Sequence, residues 1–306
     1  MAGIRGSDLM KATLADRPPA EPGWLFERKL DGIRCLAVAE DGGVRLLSRN
    51  DLALDGRFPE IAAALAAQPA GDFAIDGEVV ALEGDRDSFA RLARSGREAA
   101  TLAFYAFDAL VLGGEDVRAL PLVERKARLR AALRFDERIR FSEHAEGGGD
   151  ERFEEACRRG WEGLIAKRAD SPYAARRSRD WLKVKCGREQ EFVIGGYTEP
   201  RGSRTGFGAL LLGHYDGGRL VYAGKVGTGF DRALLAELTA QMEALRRDTS
   251  PFDAGDPPRR ATWIEPELVG QVAFSEWTAD GRLRHPRFLG LREDKAAREV
   301  VREAPD

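Results

Sequence analysis

The sequence predicts an α+β protein in two parts, with antiparallel sheets flanked by helices in the first part and a small β-barrel in the second. Three observations carry this prediction. Runs that alternate apolar and polar residues recur along the chain, as in strands that bury one face. Segments 57–68 and 121–133 have the pattern of helices. After about residue 189 the runs become shorter and glycine clusters separate them, which suits a small barrel.

The first part is expected to begin with two antiparallel hairpins. Residues 24–39 alternate around Asp31-Gly32, and a second turn at Asp41-Gly42-Gly43 leads into 44–48. Asp-Gly is a common two-residue hairpin turn, so both turns predict paired neighbouring strands. Residues 73–82 follow as a strand pair or a bulged strand.

The middle of the chain adds a buried strand, a helix and two shorter strands. Residues 102–112 are apolar almost throughout, which favours a strand buried on both faces. A helix is predicted over 151–159 with Asp150 as its N-cap. Segments 163–168 and 181–186 predict short strands.

The second part has the sequence pattern of an OB-fold β-barrel. Its predicted elements are strands at 191–197, 209–215 and 219–226, a helix at 231–246, a Pro/Gly/Asp-rich linker at 249–259 and strands within 261–277. Several short strands with one inserted helix are typical of that barrel. We therefore expect domains at 1–188 and 189–306.

Composition points to a cytoplasmic protein without a metal-binding cysteine motif. The 306 residues carry 48 Lys and Arg against 51 Asp and Glu, a net charge of −3. This overall charge neither favours nor excludes binding to nucleic acid. Cys35, Cys157 and Cys186 form no C-x-x-C pair. We expect neither a disulfide framework nor a cysteine zinc site. No signal segment or membrane-spanning apolar run is visible in the sequence.

Lys29, in the stretch FERKLDGIR, is a candidate nucleophile. A lysine beside an Asp-Gly turn is also an ordinary surface charge, so this signal alone leaves both interpretations open. A nucleophilic amine must be neutral, which predicts a pKa lowered by burial or by neighbouring cations. Lys183 and Lys185 would supply such cations, because alternation along a strand places them on one face about 7 Å apart.

Two carboxylates and one aromatic residue are further candidates. Glu78 in D-G-E and Glu162 in E-G each adjoin a glycine and an apolar run. They are either turn residues or ligands of the divalent cation that accompanies a nucleoside triphosphate. Phe107 is either a core residue or a ring that stacks on a base. The sequence has no G-x-x-x-x-G-K-[ST] loop, and its three histidines lack metal-ligand spacing.

These residues occur in one order along the chain: K-x-D-G-x-R at 29–34, Ser48-Arg49-Asn50, D-G-E at 76–78, F-D at 107–108, E-G at 162–163, K-x-K at 183–185 and R-x-D-K at 292–295. The order resembles the motifs of the ATP-dependent DNA ligase and mRNA-capping superfamily. Trp24-Leu25-Phe26-Glu27, residues 222–230 and the tail at 275–295 are similar to the ligase module of bacterial LigD proteins of non-homologous end joining. The resemblance implies a nucleotidyltransferase (adenylation) domain followed by an OB-fold domain.

The resemblance implies ATP as the nucleotide, Mg²⁺ or Mn²⁺ as the metal, and an AMP bonded to Lys29. It groups Lys29, Asp31, Lys183 and Lys185 as catalytic residues. The residues that it places around the nucleotide, besides Lys183 and Lys185, are Glu27, Arg34, Arg49, Glu78, Phe107, Arg292, Asp294 and Lys295. Glu78 and Glu162 are expected to hold the metal. A hinge is expected near Gly187-Arg188.

Nicked or broken duplex DNA is the expected partner. Residues 167–188 carry eight Lys or Arg and two Asp, a local net charge of +6, as expected for phosphate contacts. The predicted DNA-binding residues are Arg176, Arg177, Arg179, Arg201 and Arg204. The LigD resemblance also implies that a Ku-like end-binding protein is a possible partner. We expect the protein to be a monomer and to associate with the nucleoid.

Two other functions remain open at this stage. One is a related nucleotidyltransferase with an RNA acceptor, such as an RNA ligase or a capping enzyme. The other is a non-catalytic OB-fold protein that binds nucleic acid. Lys29 with the K-x-K pair and the R-x-D-K ending argue against these alternatives.

Overall fold

The computed structural model describes residues 3–84, 86–92, 101–200 and 205–303. Among them, residues 3–92 and 101–186 form one compact unit, and residues 187–303 form a second. In these described ranges no helix has both the length and the apolar composition needed to cross a membrane.

The first unit contains two mixed sheets. Its strands, within the described ranges, are β1 (Lys11–Leu14), β2 (Trp24–Lys29), β3 (Ile33–Glu40), β4 (Gly43–Ser48), β5 (Phe73–Glu83), β6 (Arg86–Asp87), β7 (Thr101–Leu112), β8 (Glu115–Asp116), β9 (Ile139–Phe141), β10 (His144–Glu146), β11 (Gly163–Arg168) and β12 (Arg177–Lys185). The first sheet has the order β1-β12-β11-β2-β10. The second has the order β4-β3-β5-β7-β8, with β6 on β5 and β9 on β7.

Pairing in both sheets is mostly antiparallel, as predicted. The exceptions are β1 with β12 and β9 with β7, which run parallel. β5 is a single strand whose pairing with β7 shifts register twice, which confirms the bulged strand expected over 73–82.

The turn at Asp31-Gly32 does not form a hairpin, so that prediction is wrong. β2 pairs with β10 and β11, whereas β3 pairs with β4 and β5 in the other sheet. Neither Asp31 nor Gly32 has the positive φ that a type I′ hairpin turn requires at both positions. Asp41 and Gly42 do have it, with φ values of 52° and 78°, and they join β3 to β4 as predicted.

Helices cover parts of the first unit. They are α1 (Pro59–Ala66), α2 (Phe89–Leu92), α3 (Leu122–Ala132) and α4 (Gly149–Arg158), and a short 3₁₀ helix spans Gly6–Asp8. α4 begins earlier than expected, because its N-cap is Gly148 in a left-handed conformation with φ 63°. Asp150, the predicted N-cap, lies inside the first turn, where a carboxylate is favoured by the helix dipole.

Cys157 and Cys186 form a disulfide bond, which corrects the expectation of no disulfide. Cys157 lies near the end of α4, and Cys186 directly follows β12. The sequence separates them by 29 residues, and only the packing of α4 on the first sheet brings them together. The spacing of the two cysteines in the sequence therefore did not predict their bond. Cys35 is buried and free.

The second unit is a barrel-like sheet with one longer helix. Its strands, within the described ranges, are β13 (Arg188–Tyr197), β14 (Leu210–Asp216), β15 (Arg219–Val226), β16 (Arg246–Arg247), β17 (Thr262–Ile264), β18 (Val269–Phe274), β19 (Glu276–Trp277), β20 (Leu283–Arg284) and β21 (Arg287–Leu291). The order is β15-β14-β13-β17-β16, and β18 joins β13 to β21. The helix α5 (Arg232–Ala244) packs Leu238 and Met242 into its core.

A buried ion pair ties α3 to β7 in the first unit. Arg125 donates to both carboxylate oxygens of Asp108 at 2.7 and 2.8 Å, and both side chains are fully buried. Arg125 also donates to the carbonyl of Ser171 at 2.8 Å. The guanidinium therefore connects a helix, a strand and the loop after β11.

Replacing Arg125 by Met is expected to lower the free energy of unfolding by about 3–5 kcal/mol, because Asp108 would remain buried as an uncompensated charge. Chemical denaturation of the whole chain measures this change. Arg128→Met on the same helix is the matched control, since Arg128 pairs with Glu115 and Glu124 at the surface and its loss should leave stability nearly unchanged. Equal stability of the two variants would contradict the assignment.

Candidate active site

Strand register aligns the predicted catalytic lysines across three neighbouring strands. Lys29 on β2 lies opposite Gly163 on β11, and Gly163 lies opposite Lys185 on β12. One step along the sheet, Glu27, Ile165 and Lys183 form the next row of the same face. Residues separated by more than 130 positions in the sequence thus share one surface.

Gly163 keeps the space between the two lysines open. Its φ is 150°, and a Cβ atom at this position would lie 1.9 Å from the carbonyl oxygen of Val184. No other residue fits there without moving β12. The row therefore has a lysine on each side and no side chain in the middle.

The Glu162 carboxylate lies between the ammonium groups of Lys29 and Lys185. One oxygen accepts a short hydrogen bond from Lys29 Nζ, and the other lies 3.9 Å from Lys185 Nζ. The three side chains are 17%, 12% and 10% exposed for Lys29, Lys185 and Glu162. An anionic group thus already occupies the space between two half-buried cations.

The expected lowering of the Lys29 pKa is wrong. Burial lowers the pKa of Lys29, but the carboxylates of Glu162 and Glu78 outweigh burial and raise it above its ordinary value. The carboxylates around the amine, rather than the lysines on the same face of the sheet, determine the direction of the pKa shift. Since attack requires a neutral amine, the pair of Lys29 with Glu162 has to separate before a bond can form.

The turn after Lys29 is fixed by hydrogen bonds to the second sheet and to α2. The Gly32 N–H donates to Glu78 Oε1 at 3.0 Å. The Asp31 carboxylate accepts the N–H of Phe89 at 2.8 Å. A Cβ atom on Gly32 would lie 2.3 Å from the carbonyl oxygen of Val79. At Asp31 and Gly32 the chain therefore passes from the first sheet to the second, close to the backbone of β5.

Glu27 is the centre of a buried charge cluster. Lys126 Nζ donates to one of its oxygens at 2.8 Å, and Lys167 Nζ and Ser142 Oγ donate to the other at 3.0 Å each. Burial opposes ionisation of Glu27, but the two ammonium groups outweigh it and lower its pKa. Burial and the charge of Lys126 lower the pKa of Lys167 to about 8, against the attraction of Glu27.

Sequence reasoning did not select Lys126, and it placed Lys167 in a basic surface stretch. Lys167 is 2% exposed and lies 4.3 Å from the ring centroid of Phe107, so it is not part of a solvated surface. Lys126 belongs to α3, whose buried face carries it into the cluster. The only sequence signal for Lys126 was a charged residue at a buried position of a helix.

Arg34 and Phe107 lie beside this cluster. The Arg34 guanidinium is held by both oxygens of Asp76 at 2.5 and 2.6 Å, and lies 4.7 Å from the Phe107 ring. Tyr173 Oη donates to Asp76 at 2.7 Å. Burial raises the pKa of Asp76, although Arg34 opposes this effect. Phe107 itself is 6% exposed.

The remaining candidates lie in several places. Arg49 is half-buried directly after β4. Arg176, Arg177 and Arg179 are exposed near the start of β12. Arg201 and Arg204 lie outside the described residues. In the second unit, Arg292 pairs with Asp294 through two 2.8 Å hydrogen bonds, and Lys295 donates to Glu191 at 2.9 Å.

The described residues contain no group of three or more His, Cys, Asp or Glu side chains that could hold a metal ion. Glu78 and Glu162 both act on the Lys29 ammonium, so both carboxylates lie near that amine. Two oxygen ligands suit Mg²⁺, which is usually held by one or two carboxylates together with substrate phosphates.

Comparisons with known proteins identify the family of the chain. Residues 10–185 match the family model of the ATP dependent DNA ligase domain, and residues 203–295 match the ATP dependent DNA ligase C terminal region. The chain is 42% identical to the multifunctional non-homologous end joining protein LigD of Pseudomonas aeruginosa, over 96% of this chain and 36% of that protein. It is 39% identical to LigD of Mycobacterium tuberculosis, over 92% of this chain and 37% of that protein.

A solved structure of mycobacterial DNA ligase D complexed with ATP and MES is 35% identical, with a TM-score of 0.67 over 98% of this chain and 100% of that one. This match confirms the predicted fold class. The chain spans little more than a third of the LigD proteins that it resembles. Since the ligase domain model alone matches more than half of its residues, the chain belongs to the ATP-dependent DNA ligase family.

Proposed function

We propose that the protein is an ATP-dependent DNA ligase that seals nicks or breaks in duplex DNA through a lysyl-AMP intermediate. The observation that carries this proposal is the row Lys29, Gly163 and Lys185, with an anionic carboxylate between the two lysines. A phosphate has the same charge sign as that carboxylate and would take its place between the two ammonium groups.

In the first step, Lys29 Nζ attacks the α-phosphate of ATP. A nitrogen–phosphorus bond forms, the bond from the α-phosphorus to the bridging oxygen breaks, and pyrophosphate leaves with the electron pair. The amine loses its proton before or during this attack. Lys185 and Lys183 face the same surface and would stabilise the negative phosphate oxygens in the transition state.

The groups around Lys29 would hold the rest of the nucleotide. Phe107 would stack on the base, and the cluster of Glu27 with its two lysines would face the base edge. Arg34, Arg49 and Glu78 would contact the ribose and phosphates. Arg292, Asp294 and Lys295 of the second unit would meet the pyrophosphate during the first step.

Glu78 and Glu162 would hold a divalent cation, Mg²⁺ or Mn²⁺, together with the phosphates. Bound there, the ion would neutralise phosphate charge. It would also compete with Lys29 for the Glu162 carboxylate, whose present partner is the amine.

The second and third steps transfer AMP to DNA and close the strand. The 5′-phosphate of a nick displaces Lys29 from AMP, and the 3′-hydroxyl then attacks that phosphate and releases AMP. Arg176, Arg177 and Arg179 would bind DNA phosphates, and Arg201 and Arg204 would add further contacts. Residues 1–188 would carry adenylation and residues 189–306 the OB-fold domain, with a hinge near Gly187-Arg188.

The relatives named for end joining support a role in that repair pathway, in the bacterial cytoplasm at the nucleoid. A Ku-like protein would then bring DNA ends to the enzyme, which would act as a monomer. The match to the ligase C-terminal region favours a DNA acceptor over the RNA ligase and capping alternatives. The half-buried lysines around Gly163 favour catalysis over simple binding.

Labelled ATP with Mg²⁺ or Mn²⁺ is expected to transfer its α-phosphate label to the chain. Lys29→Ala should reduce this transfer by about three orders of magnitude or more, because the nucleophile is absent. Lys11→Ala, at a half-buried lysine of β1 that belongs to none of these motifs, is the control and should label normally. Label from GTP but not ATP would overturn the assignment, as would normal labelling of Lys29→Ala.

Binding to nicked DNA is expected to weaken with salt, and a variant with Arg176→Gln and Arg177→Gln should lower the slope of log affinity against log salt by about 1–2. Titration of fluorescent nicked duplex at several salt concentrations measures the slope. The control changes Arg130 and Arg134 to Gln, since both are exposed in the same unit. Identical slopes in the two variants would exclude the predicted DNA surface.

A further inference from the structure

We infer that Asp87 is a positioning residue for the nucleophile, an inference that rests on the proposed ligase function. Asp87 belongs to none of the motifs that identified the family, and it lies on the short strand β6. Its carboxylate holds both sides of the turn that carries Lys29.

The two oxygens of Asp87 bind residues before and after Lys29. Oδ1 accepts a short hydrogen bond from the guanidinium of Arg28, and Oδ2 accepts the backbone N–H of Asp31 at 3.1 Å. Lys29 and Leu30 lie between these contacts. The Asp87 side chain is only 3% exposed, so solvent competes little for either bond. One carboxylate therefore binds a side chain just before the nucleophile and the backbone just after it.

A second hydrogen bond links the turn after Lys29 to the segment that carries Asp87. The Asp31 carboxylate accepts the N–H of Phe89, two residues after Asp87, at 2.8 Å. Phe89 and Leu92 are buried at 1% and 0% exposure, and they anchor the segment in the unit. Asp87 and Asp31 thus bind reciprocally, each accepting a backbone N–H from the other's segment.

The ion pair with Asp87 also orients Arg28 toward the partner of Lys29. The Arg28 guanidinium lies 4.6 Å from the ring centroid of Trp161. Trp161 directly precedes Glu162, whose carboxylate pairs with Lys29. Asp87 is therefore connected to the nucleophile through the turn and to Glu162 through Arg28 and Trp161.

Positioning matters most for the step in which Lys29 forms a bond. A shift of about 1 Å in a nucleophile can slow a reaction by about a hundredfold. ATP binding depends on many other contacts and should change little. Sealing a nick that already carries a 5′-adenylate requires no bond to Lys29, so that reaction should be spared.

The test compares wild type, Asp87→Asn and Asp116→Asn in the full chain. Asp116 is a chemically matched control, because it accepts from the Arg118 guanidinium and from a backbone N–H, but at an exposed site away from the turn. Single-turnover transfer of label from ATP gives the first-step rate and the half-saturating ATP concentration. Sealing of a nick with a preformed 5′-adenylate gives the last-step rate.

For Asp87→Asn we expect the first-step rate at saturating ATP to fall about 10- to 100-fold. The half-saturating ATP concentration and the last-step rate should stay within about threefold of wild type, and Asp116→Asn should match wild type in all three. An unchanged first-step rate in Asp87→Asn would overturn the inference. Equal slowing of the first and last steps would also overturn it, because a general structural defect would explain both. A wild type that takes no label would instead refute the proposed function.

Discussion

The hydrogen-bonded register between β2 and β11 is the constraint on which the candidate site depends. It places Lys29 opposite Gly163 and, through β12, in line with Lys185. A slip of one residue would turn Lys29 to the other face of the sheet and separate it from Glu162. Gly163 limits such slips, because any side chain at this position would collide with the backbone of β12.

Charge pairing explains how so many ionised groups remain inside one unit. Glu27 is matched by Lys126 and Lys167, Asp76 by Arg34, and Asp108 by Arg125. A buried charge is strongly destabilising when its partner is missing, so each pair restricts the positions of the strands that carry it. The carboxylates that act on Lys29 itself belong to Glu162, Glu78 and Asp31. Glu162 differs from the carboxylates of the buried pairs, because it bridges two lysines that belong to the proposed phosphate site.

Residue alternation and turn dipeptides predicted part of this site. The other part depends on contacts that these local patterns do not show. Period-two alternation placed Lys183 and Lys185 on one face, and Asp41-Gly42 was a hairpin because both residues adopt positive φ. Asp31-Gly32 has the same dipeptide but crosses between sheets, and a dipeptide alone cannot distinguish these outcomes. The sign of the Lys29 pKa shift, the role of Lys126 and the Cys157–Cys186 bond all depend on contacts between distant segments. Such contacts are fixed by the packing of sheets and helices, which one sequence does not specify by spacing.

The most direct test of the account is to locate the AMP on the chain. Protein incubated with ATP and a divalent cation would be digested under mildly alkaline conditions that preserve a phosphoramidate, and the peptides would be sequenced by mass spectrometry. We expect one AMP per chain, bonded to Lys29, with Lys183 and Lys185 unmodified. AMP on either of those two lysines, or no adduct in protein that still seals nicks, would contradict it.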